Sequence, residues 1–412
     1  MKLELTPTRL YRRATALIRT DPLSVRTGFI ALLISTFAGL AAGVVLGSIT
    51  GTLLALPGLV VLVPAAVGLR GNVFGALASR LSTMAQLGET RFSRRLSTAF
   101  GQNLASATIL SISCSLFLAG IAKIVSEAFG IKDTISFADF FVISIIGAII
   151  PTLVSMIVTI FLARTCVKRE WDLDNVGAPL ITATGDLVTI PSLVLATLLI
   201  GISWVTPVIA LISVVGAMLL FIYGVFSKYT SLKRIVRESL PVLIIGGSIS
   251  ILAGLTVQGR LDSLSKYPIL IVLLPPLLSL NGAIGSILSA RVSTKLHLGT
   301  VRSDRFGFSP VSEDVTITYL LSVPIFLLLG LFCATYSAFG HLAGPGWFYV
   351  ISIAVIAGVI STTLSNVIGY ITAIMSYRFG FDPDNFAVPA VTSVSDLIGA
   401  VVLMTTIGVL HI

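Results

Sequence analysis

The chain has 412 residues, 55% of them hydrophobic and 11% charged, with a formal net charge of +9. Soluble globular domains carry about a quarter charged residues, so this composition excludes that class. The positive balance does not point to nucleic acid, because the basic residues fall in loops between apolar runs.

Those runs are about twenty residues long, enough to cross about 30 Å of hydrocarbon as helix. Without water in the bilayer core each run must satisfy its own backbone, which leaves helix as the form. Residues 1–26 carry Arg9, Arg12, Arg13, Arg19 and Arg26. The apolar run that follows is of full spanning length, not a short core before a small-residue cleavage site, so it reads as an uncleaved first helix. In chain order, spans are predicted near 27–49, 52–79, 102–122, 137–162, 178–201, 206–226, 241–258, 268–289, 315–338, 347–373 and 388–410. The expected fold class is an all-α polytopic membrane protein with about eleven transmembrane helices. Cys114, Cys166 and Cys333 lie in or beside spans without ligand spacing and read as small buried residues.

Loop charge orients the chain. Basic residues cluster before the first span and then in alternate loops: Arg80 to Arg95, Arg164 to Arg169, Lys228 to Arg237, Arg291 to Arg305, and Arg378. The opposite loops hold Lys123, Lys132, Arg260 and Lys266, and Arg70 falls inside a span. The bias predicts a cytoplasmic N-terminus and an outside C-terminus in the cell (plasma) membrane.

The chain also repeats itself. RLSTMAQLG at 80–88 returns as RVSTKLHLG at 291–299, and VLVP at 61–64 as VLLP at 272–275. Asp174, Asn175, Pro179 and Asp186 return as Asp384, Asn385, Pro389 and Asp396. Each half supplies five helices, which alone would leave the second half inverted. The linking helix turns it back, so the two repeats run parallel about an axis along the membrane normal. The expected organisation is a cytoplasmic segment at 1–26, a five-helix repeat at 27–203, a linking helix with a basic loop at 204–238, and a second repeat at 239–412. A chain that already holds both halves predicts that a monomer suffices.

Asp186 and Asp396 stand out as carboxylates inside apolar spans, where each costs roughly 2.5–3.5 kcal/mol and faces a polar path or a partner. Thr182 and Thr392 precede them by four residues, which stacks hydroxyl and carboxylate on one helix face. Hard oxygens without His or Cys suit Mg2+ or Ca2+. The bland alternative is that each Asp pairs with Arg70 or caps a helix. Gly71 and Asn72, with Asn281 and Gly282 in the second copy, suggest a bent or broken helix that turns carbonyls to a path. Close helix packing through small residues such as Gly71 and Gly75 accounts for them equally well. Asp172, Asp174, Asp382 and Asp384 stand at the expected inner mouth, where Asn175 and Asn385 cap helices. Arg80 and Arg291 read as orientation anchors and His297 as a loop residue.

VPAAVGLRGNVFGALASRLSTMAQLG at 63–88, its copy ending SARVSTKLHLG at 289–299, and DLDNVGAPLITATGDLVTI at 172–190 with DPDNFAVPAVTSVSDLIGA at 382–400 resemble the MgtE family of magnesium channels and transporters. The resemblance is to its duplicated branch, the eukaryotic MgtE-like solute carriers. It implies a divalent-cation path between the halves, with Asp186 and Asp396 matching the family's pore aspartate and Gly71-Asn72 its Gly-Asn motif. In the second copy the order is reversed, and Ala283 stands where Asn72 aligns. Only about 26 residues precede the first helix, so the cytoplasmic Mg2+-sensing domains of bacterial members are expected to be absent. The expected cargo is Mg2+, held largely hydrated between the two aspartates in competition with acid. The expected surroundings are a lipid bilayer, with no nucleic acid and no resident cofactor. No GxxxxGK[ST] phosphate loop occurs in the sequence, so ATP drive within the chain is not expected. The rivals are a carrier for a monovalent or organic cation and, remotely, an intramembrane aspartyl protease; the second lacks the expected Gly-x-Gly-Asp, since Ala183-Thr184-Gly185-Asp186 has no first glycine.

Overall fold

The computed structural model describes residues 22–86, 93–169, 173–301, 309–340, 342–380 and 383–410. The described elements are all helical, and eleven are long and apolar enough to cross a membrane. In the first repeat these are α1 (Pro22–Ser48), α3 (Leu59–Gln86), α4 (Ala99–Ala128), a composite fourth span, and α7 (Leu173–Thr197). The composite span joins α5 (Phe137–Phe141), a π-helical segment (Val142–Ile146) and α6 (Gly147–Arg169). α8 (Val205–Val225) links to the second repeat, which holds α9 (Thr230–Gln258), α11 (Pro268–His297), α12 (Ser312–Phe339), α13 (Trp347–Phe379) and α14 (Pro383–Val409).

Local chemistry sets several ends. The Thr98 side chain accepts from the Gly101 amide at the start of α4, and Ser136 with Asp139 forms a reciprocal capping box ahead of α5. Gly380 ends α13 in the left-handed region.

The structure corrects the second predicted span. The stretch expected as one helix over 52–79 is broken: a short α2 (Thr50–Ala55) ends before Pro57, and Gly58 turns the chain at φ +95° before α3 begins. Proline disfavours helical backbone in the residue before it, and glycine alone takes that φ without strain. The break is duplicated, because α10 (Leu261–Ser265) sits 211 positions later, before α11. The two short helices touch, with Leu53 and Leu264 buried at equivalent positions. The composite span is duplicated as α13, but without the π segment.

The repeats are interleaved rather than side by side. α1 packs on α11 and α7, and α9 packs on α3 and α14, so each repeat lends its first helix to the second helix of the other. Glycine makes the exchange possible. A Cβ on Gly43 would collide with the backbone carbonyl of Val272, and one on Gly254 would come within 2.5 Å of the Val61 carbonyl oxygen. Gly43 and Gly254, like Val61 and Val272, stand 211 positions apart. The same close approach is therefore built twice, once in each direction.

Gly43→Val and Gly254→Val are each expected to lower the unfolding free energy by about 1–3 kcal/mol through overpacking. Gly51→Val, where a side chain meets open space, is expected to leave it unchanged. Thermal melts of the purified protein in detergent check all three.

Candidate functional site

Between the repeats a cavity of about 620 Å³ opens. It follows α3 from Val63 to Ser79 and α11 from Leu274 to Thr294, with α1, α7, α12 and α14 completing the wall. On α3 it runs from four residues past the helix start to seven short of its end, and on α11 from six past the start to three short of the end.

Asp186 on α7 and Asp396 on α14 both line it, at 2% and 8% exposure. They lie near enough for their charges to interact. Each faces the second helix of the opposite repeat. Asp186 has Ser279 on α11 as its polar neighbour, whose hydroxyl lies 3.2 Å from that of Ser35 on α1. Asp396 accepts from Ser250 on α9 at 3.0 Å, and a Cβ on Gly68 of α3 would stand 3.2 Å from its Oδ2. Oδ2 of Asp186 has no hydrogen-bond partner among the described residues, an arrangement that buried carboxylates otherwise avoid.

Thr182 and Thr392 line the same cavity. The Thr392 hydroxyl lies 2.8 Å from Asn72 Oδ1 across the repeats, with the Val388 carbonyl of its own helix as the other acceptor at 2.9 Å. Gly71 and Gly282 are the contact points for the two threonines: a Cβ would meet Thr182 Cγ2 at 3.3 Å and Thr392 Cγ2 at 3.4 Å. Both glycines also line the cavity. The broken-helix expectation fails, because α3 and α11 run unbroken through both motifs. The ladder is instead interrupted at Pro64 and Pro275, each of which removes one backbone donor. Gly75, offered with Gly71 as a packing pair, faces open space in the cavity wall.

Asn281 departs from expectation. It is fully buried, off the cavity wall, and set against α14 at Gly399. Reversal of the motif moves the amide two positions along the helix, which carries it round to the far side of α11. The pairing of Arg70 with an aspartate does not occur either. Arg70 donates to Ser115 Oγ on α4 at 3.0 Å and forms no ion pair among the described residues. Asp172 and Asp382 lie outside the described residues, as do the side chains of Asp174, Asn175, Asp384, Asn385, His297 and Cys166.

The serines around the carboxylates escape sequence reasoning for a definite reason. Ser279 aligns with Gly68 and Ser250 with Gly39, so neither is duplicated and neither is flagged by the repeat. The orientation anchors prove to be parts of a clasp. Arg80 donates to Asn103 Oδ1 at 2.9 Å, and Asn103 Nδ2 reaches Met84 Sδ at 3.6 Å. In the second repeat the same three positions are Arg291, Asp314 and Lys295, with Asp314 at 3.5 Å from Arg291 and 2.6 Å from Lys295.

The family model for MgtE, described as a divalent cation transporter, matches residues 63–196 and 274–406. The chain belongs to the MgtE family. The two matched stretches stand about 210 positions apart, as the internal repeat does. Solute carrier family 41 member 3 of Mus musculus is 25% identical over 370 residues, covering 84% of this chain and 74% of that protein. The same member in Rattus norvegicus is 24% identical, covering 84% and 78%. Member 2 of Homo sapiens is 24% identical, covering 83% of this chain and 62% of that protein. No solved structure matches the chain. As a member of a transporter family the chain is not an enzyme, which ends the aspartyl-protease alternative, and a divalent cation is cargo rather than a resident cofactor.

Asp314 is buried between two cations that keep about a third of their surface exposed. Asp314→Asn, the residue type of the first repeat, is expected to cost about 1–2 kcal/mol, less than a fully buried pair because water still reaches both partners. Asn103→Asp, which adds a charge beside Arg80, is expected not to destabilise. Thermal melts read both.

Proposed function

We propose that this chain carries Mg2+ across the cell membrane along the cavity between its repeats, with the ion held between Asp186 and Asp396. The observation that carries the reading is the convergence of two carboxylates, from equivalent positions in the two repeats, on one cavity. An Asp186 oxygen there lacks a partner. A cation supplies what that oxygen lacks.

The donor set favours a hydrated hard ion. The described residues contain no group of three or more His, Cys, Asp or Glu side chains able to hold a metal, so protein ligands alone do not complete a coordination sphere. Mg2+ dehydrates reluctantly and keeps several waters. Six waters at about 30 Å³ each need about 180 Å³, well inside the cavity. Carboxylates then act through waters as well as directly, and Thr182, Thr392 and Asn72 offer further oxygens along the wall.

Loop charge supports a cytoplasmic N-terminus, which turns the C-terminal ends of α3 and α11 towards the cytoplasm, and the cavity is read as opening on that side. The packed ends of α3 and α11, under α2 and α10, then close the outer side. The two repeats are proposed as 27–203 and 239–412, and one chain forms the complete path.

Asp186→Asn and Asp396→Asn are each expected to reduce Mg2+ uptake into proteoliposomes at least about tenfold; undiminished uptake by both removes the proposal. Thr392→Val is expected to give a smaller loss, because Asn72 loses one hydroxyl partner. For orientation, a cysteine at Ser286 on the cavity wall is expected to react with a membrane-impermeant thiol reagent from the cytoplasmic side, whereas one at Val272 is expected to stay protected. Labelling of Ser286→Cys from the outer side alone reverses the assignment.

A further inference from the structure

Serine and threonine inside an apolar helix commonly spend the hydroxyl on a carbonyl of their own helix, and α9 follows that habit on either side of one exception. Ser248 donates to the Ile244 carbonyl at 2.7 Å and Thr256 to that of Leu252 at 2.9 Å. Ser250 stands between them at 1% exposure and reaches across to α14, where it donates to Asp396 Oδ2 at 3.0 Å. A hydrogen bond to a charged acceptor is stronger than one to a neutral carbonyl, which gives the departure an energetic reason.

A helix of the other repeat completes the seat. A Cβ on Gly68 of α3 would stand 3.2 Å from Asp396 Oδ2 and 3.8 Å from Ser250 Oγ. Oδ2 is thus held by a donor from α9 and has room because α3 carries glycine beside it. Gly68 and Asp396 line the cavity, whereas Ser250 does not. The hydroxyl therefore meets the carboxylate from outside the path.

The first repeat cannot copy this arrangement. The residue equivalent to Ser250 is Gly39, where a Cβ would come within 2.7 Å of the Pro276 Cα, so no serine fits there. Asp186 instead has its polar neighbour on α11, at Ser279 on the cavity wall, and its Oδ2 lacks a hydrogen-bond partner among the described residues. Two equivalent carboxylates are attended from different helices, and Asp396 is the one steadied from behind the wall.

We propose that Ser250 is a positioning residue of the ion path: its hydroxyl, with the clearance that Gly68 provides, fixes the Asp396 carboxylate so that Oδ2 is held and Oδ1 is left for the ion. This rests on the reading that Asp186 and Asp396 hold the ion. The terminal torsion of an aspartate is broad, so a carboxylate without a fixed partner samples many orientations. Ordering it again on each binding event lowers affinity, and a partner that orders it beforehand removes that cost. Ser250 does this without touching the ion.

The test uses full-length protein, with Mg2+ alone as the probe. Half-saturating Mg2+ is read from thermal stabilisation in detergent, and maximal uptake from proteoliposomes. Ser250→Ala is expected to raise half-saturating Mg2+ about tenfold, as loss of a partner that orients a metal-binding side chain does, with a smaller effect on maximal uptake. Ser250→Thr, which keeps the hydroxyl, is expected to stay close to the parent, as is Ser248→Ala, which removes a hydroxyl turned to its own helix. Gly68→Ala is expected to weaken binding too, because its methyl presses on Oδ2. In an Asp396→Asn background Ser250→Ala is expected to add no further loss, since the two side chains act as a unit. A folded Ser250→Ala variant with half-saturating Mg2+ unchanged from the parent overturns the inference, and so does a Ser250→Ala effect that persists in full when Asp396 is Asn. Should the Ala variant not fold, Ser250→Gly, the residue of the first repeat, takes its place; loss of folding in both assigns the hydroxyl to tying α9 to α14 and overturns the inference as well. If Asp396→Asn binds as the parent does, the path reading itself falls; if it loses binding while Ser250→Ala leaves affinity unmoved, only this inference does.

Discussion

A carboxylate inside an apolar span is among the most expensive placements a membrane protein makes, at roughly 2.5–3.5 kcal/mol each, and this chain makes it twice at equivalent positions. The fold is arranged around that constraint. Asp186 and Asp396 face each other's repeats across a cavity, with Ser279 beside one and Ser250 donating a hydroxyl to the other. That sparse set of donors leaves carboxylate valence open, which a divalent cation with part of its water shell is suited to take up.

Bringing two helices from different repeats close enough to enclose such a cavity requires backbones to touch. The exchange of α1 and α9 between repeats does this, and glycine is what permits it. Gly43 against Val272 and Gly254 against Val61 are one contact made twice. Because lipid is as apolar as the helices, close contact rather than hydrophobic burial drives such association. The interleaving also couples the halves: α1 cannot shift against α11 without moving the wall that carries Ser35, and α9 carries Ser250 in the same way.

On that symmetric frame the chemistry is unequal. Arg80 with Asn103 and Met84 forms a mostly neutral clasp, whereas Arg291, Asp314 and Lys295 form a charged one. Arg70 and Asn281 repeat the contrast deeper in the membrane, and Asn72 has no amide counterpart at Ala283. Duplication within one chain frees each copy to diverge, since a substitution in one half leaves the other as it was.

The sequence by itself determined the membrane class, the eleven spans, the repeat and the two aspartates, because each of these is written in one dimension. Spanning length, loop charge, a constant offset and a carboxylate among apolar residues need no knowledge of what lies across the fold. The four-residue spacing of Thr182 and Asp186, and of Thr392 and Asp396, is likewise a property of one helix. Tertiary structure alone decided which repeat each helix packs against, that Gly71 and Gly282 lie against Thr182 and Thr392 within continuous helices, and that Ser279 and Ser250 attend the carboxylates. It also turned Arg70 and Asn281 away from the cavity. All of these depend on which face of one helix meets which face of another. Helix rotation and partner choice follow from backbone contacts between residues hundreds of positions apart, such as Gly43 with Val272, and in this apolar chain the hydrophobic pattern is too uniform to signal them.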